Sequence, residues 1–252
     1  MVRNRKKEEI NDFGWKREDY EIYLDEFPPT LKYLFKQGKM GSSPQGDIIA
    51  IKAKSKNGKS FLCTILASVI LGNKFGSLYC SEQNATVLYF DTEQNKTNTH
   101  ILMSRIHKMC EWKHENNKYL HVYSLRLMPL EERMKYIEQR IIDHKPNAVF
   151  IDGIADLLSD FNDIAQSQEA IQNMMTLSSK YKTAVFFVLH TNKSDNNMKG
   201  HLGTLATQKC ADVFQVEKKG NIFHVSESES RNLPIKDFKF TIDDNGIPQP
   251  AE

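Results

Sequence analysis

The stretch Ala53-Lys54-Ser55-Lys56-Asn57-Gly58-Lys59-Ser60 gathers the residue types that a bound triphosphate requires. Such a group is held by converging backbone N–H donors at a helix N-terminus, by a cation on its β and γ oxygens, and by a hydroxyl that ligates Mg²⁺. Gly58 lets the backbone approach the phosphate, Lys59 supplies the cation and Ser60 the hydroxyl. With Phe61 in the first turn of the apolar run that follows, residues 53–61 form the expected nucleotide-binding segment, for ATP with Mg²⁺. A Gly-Lys-Ser tripeptide occurs by accident, or as an ordinary turn and helix cap. Here an apolar, β-branched run, Ile48-Ile49-Ala50-Ile51, leads into it and a helix-length apolar run leads out, which is the required context. The usual first glycine of the motif is Ala53, a replacement tolerated where the backbone is extended.

A phosphate loop needs a carboxylate at the end of another strand to hold the water shell of Mg²⁺. Ala148-Val149-Phe150-Ile151-Asp152 fits as an apolar strand ending in an acid, against the plainer reading of Asp152 as a cap or turn residue. Hydrolysis also needs a group that orients and deprotonates water. Glu93, in Asp91-Thr92-Glu93-Gln94 just past Val87 to Phe90, is the candidate; Asp91 competes, and an acid opening the next helix is the bland alternative. Asp156, Asp160 and Asp163 look like a metal cluster, but acids ahead of a helix usually cap it. Asn192-Lys193-Ser194-Asp195 matches the guanine-reading Asn-Lys-x-Asp motif of GTPases. A GTPase of that kind also carries Asp-x-x-Gly on its switch strand, and neither Asp91-Thr92-Glu93-Gln94 nor Asp152-Gly153-Ile154-Ala155 fits.

These residues are positioned by alternating elements. Strand-like runs at Ile48 to Ile51, Val87 to Phe90, Leu120 to Tyr123, Ala148 to Ile151 and Thr183 to Leu189 are separated by helix-length stretches at Ser60 to Leu71, Asn98 to Cys110, Glu131 to His144 and Ile164 to Tyr181. Continuous apolar strands between helices predict an α/β fold with a mainly parallel sheet covered on both faces. Val213 to Glu217, Ile222 to Ser226 and Phe238 to Ile242 are separated only by turns, so they are expected to pair antiparallel at the C-terminal end. Residues 1–45 are polar and broken by Pro28-Pro29 and Gly41-Ser42-Ser43-Pro44; they read as an N-terminal extension with one short helix around Thr30 to Lys36. Residues 46–252 are then one domain.

Composition sets the outer bounds. Thirty-four Lys and Arg against 32 Asp and Glu leave a net charge of +2, which excludes nucleic-acid binding by bulk charge alone but leaves room for a local patch. An apolar fraction of 40% and a charged fraction of 26% describe a globular chain. The longest largely apolar run, Phe61 to Leu71, falls short of the roughly 18–20 residues of a spanning helix. No apolar segment follows the basic N-terminus as in a secretion signal, so a cytoplasmic location without a membrane partner is expected. The four cysteines include no C-x-x-C pair and read as buried thiols.

Taken together, Gly-Lys-Ser at 58–60, Leu71-Gly72-Asn73-Lys74-Phe75-Gly76, Tyr89-Phe90-Asp91-Thr92-Glu93-Gln94 and Phe150-Ile151-Asp152-Gly153-Ile154-Ala155-Asp156-Leu157 resemble the RecA-like P-loop ATPases. The likeness is to the branch of RepA-type hexameric helicases and related ATPases of plasmids and mobile elements, over roughly Gly46 to Asp243. It implies a three-layer core and a ring of identical subunits. It implies that Glu93 activates the attacking water, that His190 at the end of Val185 to His190 senses the γ-phosphate, and that Thr191 to Gly203 is a mobile loop facing DNA in a channel. Gly200 through Asp212 is similar to the glycine-led segment that enters the last core strands. The family often carries Lys-x-Arg near the late hairpin; here Glu229-Ser230-Arg231 puts an acid in place of the lysine, and Arg231 is either the trans-acting arginine or a surface residue.

Lys193, Lys199 and His201, with Lys209 nearby, carry the nucleic-acid reading, because a ring repeats a modest patch in every subunit. The loop holds no aromatic residue, so salt-sensitive, sequence-independent DNA binding is expected, against the alternative of solvated loop lysines. Mg²⁺-dependent ATP hydrolysis coupled to DNA handling in replication, mobilisation or repair is the expected function. A nucleotide-gated scaffold with little turnover, a helicase loader, and a GTPase through Asn192 to Asp195 are the alternatives.

Overall fold

Ile48 to Ala53 is buried at every position, because each face of the strand meets a different layer. Ile49, Ile51 and Ala53 pack with Leu62, Ile65, Leu66 and Val69 of the helix that follows, whereas Ile48 and Ala50 pack with Met174, Leu177, Leu202 and Ala206 on the opposite face. A strand sandwiched in this way must be apolar throughout rather than alternating.

In the computed structural model of the chain, residue 22 and residues 31–191, 198 and 200–251 are described. The chain divides into two units, Met1–Leu31 and Lys32–Glu252, and all described residues except Ile22 and Leu31 belong to the second. The elements are β1 (Tyr33–Gln37), β2 (Met40–Pro44), β3 (Ile48–Ala53), α1 (Lys59–Ile70), β4 (Leu78–Cys80), β5 (Val87–Asp91), α2 (Lys96–Met109), β6 (Leu120–Ser124), α3 (Leu130–His144), β7 (Ala148–Asp152), a 3-10 turn at Ile154–Leu157, α4 (Ile164–Tyr181), β8 (Ala184–His190), α5 (Gly200–Lys209), β9 (Asp212–Lys219), β10 (Ile222–Ser230), β11 (Phe238–Ile242) and β12 (Pro248–Ala251).

Among the described residues, nine strands form one sheet in the order β12-β11-β10-β9-β3-β8-β7-β5-β6. From β9 to β6 all neighbours are parallel, and from β9 to β12 all are antiparallel. Helices cover both faces, so this is the expected three-layer α/β core with its antiparallel C-terminal end. Tyr89, Phe150 and Phe186 lie side by side on β5, β7 and β8, with ring centroids 5.7 and 4.4 Å apart. That stack fixes the register of three strands whose C-terminal ends carry site residues.

Three local expectations differ. The helix around Thr30 to Lys36 is replaced by β1, which pairs with β2 and β4 in a three-stranded sheet. Phe35, fully buried against Phe214 at 6.2 Å, and Leu34 at 4% exposure draw this segment onto the core, and tertiary burial overrides a weak helical pattern. Gly200 to Gly203, expected in the mobile loop, opens α5, whose Leu202 and Ala206 are buried against the second core face. Of the cysteines, Cys63 and Cys210 are buried and Cys80 and Cys110 only partly so. No helix among the described residues is long and apolar enough to cross a membrane.

Candidate active site

The loop leaving β3 turns back on itself through two left-handed residues, Lys56 (φ 61°) and Gly58 (φ 87°), and α1 begins at Lys59. Gly58 is required twice over, for its φ and because an added Cβ would lie 2.6 Å from the Phe223 ring. Ala53 ends β3 with an ordinary extended backbone and 1% exposure, so a glycine is not needed there.

Lys59 is 7% exposed. Its ammonium donates to the carbonyls of Ala53 (3.4 Å) and Lys54 (3.3 Å) and lies 3.0 Å from His190 Nδ1. Burial holds its pKa below the ordinary value, with Asp152 and Glu93 pulling the other way. Ser60 Oγ donates to Asp152 Oδ2 at 2.9 Å, and the Tyr89 hydroxyl donates to the same oxygen at 2.8 Å. Asp152, 4% exposed, has its pKa raised by burial, which these two donors oppose. The Ser60 hydroxyl and the Asp152 carboxylate form an all-oxygen donor set beside the loop, the kind Mg²⁺ takes, so these residues fit that ion.

Glu93 sits just past β5 on a turn shaped by Asp91. The buried Asp91 carboxylate accepts from the N–H groups of Glu93 (3.2 Å) and Gln94 (2.8 Å) and from Thr99 Oγ1 (2.8 Å). Asp91, the competing base, is thus fully engaged in the turn, while Glu93 faces the cavity. Thr92 ties this turn to the one after β7, accepting from Gly153 N–H (2.8 Å) and lying within 3.0 Å of Gly153 O and 2.9 Å of Asp156 Oδ2. His190 Nε2 stands 3.9 Å from Glu93 Oε2, beyond a direct hydrogen bond but well within charge range. The interaction with His190, with Lys59 adding to it, holds the Glu93 carboxyl below its ordinary value against partial burial.

One cavity of about 570 Å³ is lined by Ser55, Lys56, Gly58, Lys59, Ser60 and Phe61, with Glu93, Asp152 and His190 facing them. Opposite the expected Phe61, its far wall is Asn98, Ile101, Leu102 and Arg105 of α2, which the sequence reading missed. The Arg105 guanidinium lies 4.2 Å over the Phe61 ring and donates to Gly246 O at 2.9 Å. The helical spacing of 98, 101, 102 and 105 was the available signal. Tyr89, given no role by the sequence reading, carries a buried hydroxyl in the middle of β5.

The other candidates lie elsewhere. Ala53, Lys54 and Asn57 line a different concavity on the back of the loop. Arg231 follows β10 and donates to Lys209 O at 2.7 Å, outside this cavity. It sits beside the start of β9, the sheet end opposite the loop after β3, away from the cavity of the same chain. His201 is exposed in the first turn of α5. Lys193, Lys199 and the Asn192 to Asp195 motif lie outside the described residues. Asp163 caps α4 through Gln166 N–H (2.8 Å), Asp160 accepts from Asn162 N–H (2.8 Å), and no cluster among the described residues is built to hold a metal by His, Cys, Asp and Glu alone.

The architecture is similar to that of a KaiC-like protein from the hyperthermophilic archaeon Pyrococcus horikoshii OT3, with a TM-score of 0.57 and 11% identity over 84% of this chain and 92% of that one. At that identity the likeness shows the RecA-like fold and nothing of the task. No curated protein matches the sequence. Residues 17–196, well over half of the chain, match the AAA domain family (AAA_25), and the protein belongs to this family of P-loop ATPases.

Proposed function

We propose that the protein hydrolyses ATP with Mg²⁺ in the cavity between β3, β5, β7 and β8, and couples turnover to DNA. The observation that carries the first half is the convergence of Lys59, His190 and Glu93, the first two 3.0 Å apart and the last two 3.9 Å apart, beside the Ser60–Asp152 pair. Lys59 trades its loop carbonyls for the β and γ oxygens of the nucleotide. Ser60 and Asp152 would hold Mg²⁺, which supplies charge neutralisation across the phosphates when bound. Glu93, kept ionised by its basic neighbours, accepts a proton from the attacking water, and His190 links the γ-phosphate position to the segment after β8. Phe61, Ile101 and Arg105 offer a flat apolar and cationic surface for the base.

The DNA half rests on Lys193, Lys199 and His201 in the segment that β8 leads into, repeated around a homo-oligomeric ring, with Arg231 serving a neighbouring subunit. Its location away from the site of its own subunit is compatible with that role. Lys59→Ala is expected to abolish binding of a fluorescent ATP analogue and lower turnover at least about 100-fold, since it removes the buried cation of the site. Full activity in that variant would overturn the assignment.

A further inference from the structure

The phosphate loop has a second concave side. Ala53, Lys54 and Asn57, together with Thr191 and residues 215–219 of β9, line a cavity of about 350 Å³. Three exposed lysines, Lys54, Lys218 and Lys219, line it against one carboxylate. That carboxylate, Glu217, accepts from Gln215 Nε2 at 2.6 Å and lies 3.9 Å from Lys219 Nζ. Thr191 is 8% exposed, and its Oγ1 is buried with no hydrogen-bond partner among the described residues, a state that native structures rarely leave uncompensated. Excess positive charge and a side-chain amide at Asn57, with an unmatched hydroxyl buried in the wall behind them, are together the chemistry of an oxyanion site.

The two cavities share one loop, and Lys59 joins them. Its ammonium reaches the carbonyls of Ala53 and Lys54, the residues that line the second cavity, while its charge belongs to the first. The β9–β10 hairpin is tied to the same loop, with Phe223 against Gly58 and Lys218 Nζ 5.2 Å over the Phe223 ring. We propose that the second cavity binds a phosphate group that does not belong to the hydrolysed nucleotide, and that the shared loop couples the two sites. The coupling rests on the nucleotide reading of the first cavity; the binding itself does not. An anion that draws Lys54 outward moves its carbonyl from Lys59 and frees that ammonium for the nucleotide, so each ligand tightens the other by the same factor.

The phosphate comes either from a nucleic-acid backbone or from a free polyphosphate, and two probes separate them. Anisotropy of a labelled oligothymidylate of about 20 nucleotides, read over a range of salt with and without sodium tripolyphosphate, measures the second site, and a fluorescent ATP analogue measures the first. Lys218→Gln combined with Lys219→Gln is expected to weaken binding of the phosphate probe at least about 10-fold and to flatten the salt slope by about 1.4, leaving affinity for the ATP analogue alone unchanged. Thr191→Val should weaken the oligothymidylate about 3-fold, and saturating oligothymidylate should tighten the ATP analogue about 5-fold. Displacement of the oligonucleotide by tripolyphosphate identifies free phosphate as sufficient; resistance to it identifies the backbone. Wild-type affinity for both probes in the double variant, or no binding of either probe by the unmodified chain, would overturn the second site. Failure of the ATP analogue to bind the unmodified chain would instead overturn the reading of the first cavity.

Discussion

Two acidic residues two positions apart, Asp91 and Glu93, compete for one role in the sequence, and their hydrogen bonds separate them. Asp91 spends its oxygens on two N–H groups and the Thr99 hydroxyl, whereas Glu93 is left beside His190 and the cavity. Glu93→Gln keeps the size of the side chain and removes the carboxylate proposed as the base. Turnover is expected to fall about 10²- to 10⁴-fold with nucleotide binding retained, read as kcat against the affinity for an ATP analogue. Unchanged turnover would hand the role to another group. Glycine at 58 was legible before any fold, because the residue ahead of Lys-Ser must approach a phosphate. Its contact with Phe223 was not, since that residue arrives from 165 positions further along the chain.

At the scale of elements, the β1–β2 hairpin is held by a buried acidic pair that no motif announced. Ser42 Oγ, with one proton to give, lies 2.8 Å from Glu227 Oε1 and 3.3 Å from Asp212 Oδ2. Asp212 also accepts from Ser43 N–H at 2.7 Å and from Ser230 Oγ at 2.8 Å, and Glu227 accepts from Ile235 N–H at 2.5 Å. Burial first, and then the neighbouring Asp212 carboxylate, push Glu227 up to about 7. A carboxyl raised in this way holds a proton in the folded chain that the unfolded chain releases near 4.5, so stability is greatest below that value and declines as pH rises through about 7. The loss is on the order of 1–3 kcal/mol. Glu227→Gln should flatten this decline, measured as Tm between pH 5 and pH 8 under conditions where unfolding is reversible; a slope equal to that of the unmodified chain would remove the proton from this pair. The first strand of the hairpin, β1, falls where a short helix was expected because Tyr33 to Gln37 is too short for periodicity to decide, and its partners lie on β4 and under Phe214.

At the scale of the whole molecule, a ring would repeat the basic segment after β8 and bring Arg231 of one subunit toward the nucleotide of the next. Mass measured with and without a non-hydrolysable ATP analogue and an oligonucleotide is expected to show assembly in the presence of both. A chain that stays monomeric under all conditions would remove the ring and the trans role of Arg231 together. The alternation of apolar runs with helix-length stretches, the antiparallel end and the Gly-Lys-Ser loop between β3 and α1 were all determined by the sequence itself. Each is a local pattern, set by short continuous apolar runs, by helix-length stretches between them and by the glycine ahead of Lys-Ser, and local patterns survive without knowing the fold. The neighbours across the sheet were decided only by tertiary structure. The strand order places β8 between β3 and β7, and so brings His190 to Lys59 across 131 positions of chain. Arg105 over Phe61, Ser42 between two acids, and the second cavity behind the loop arise the same way, because pairing between distant strands leaves no trace in the composition of either one.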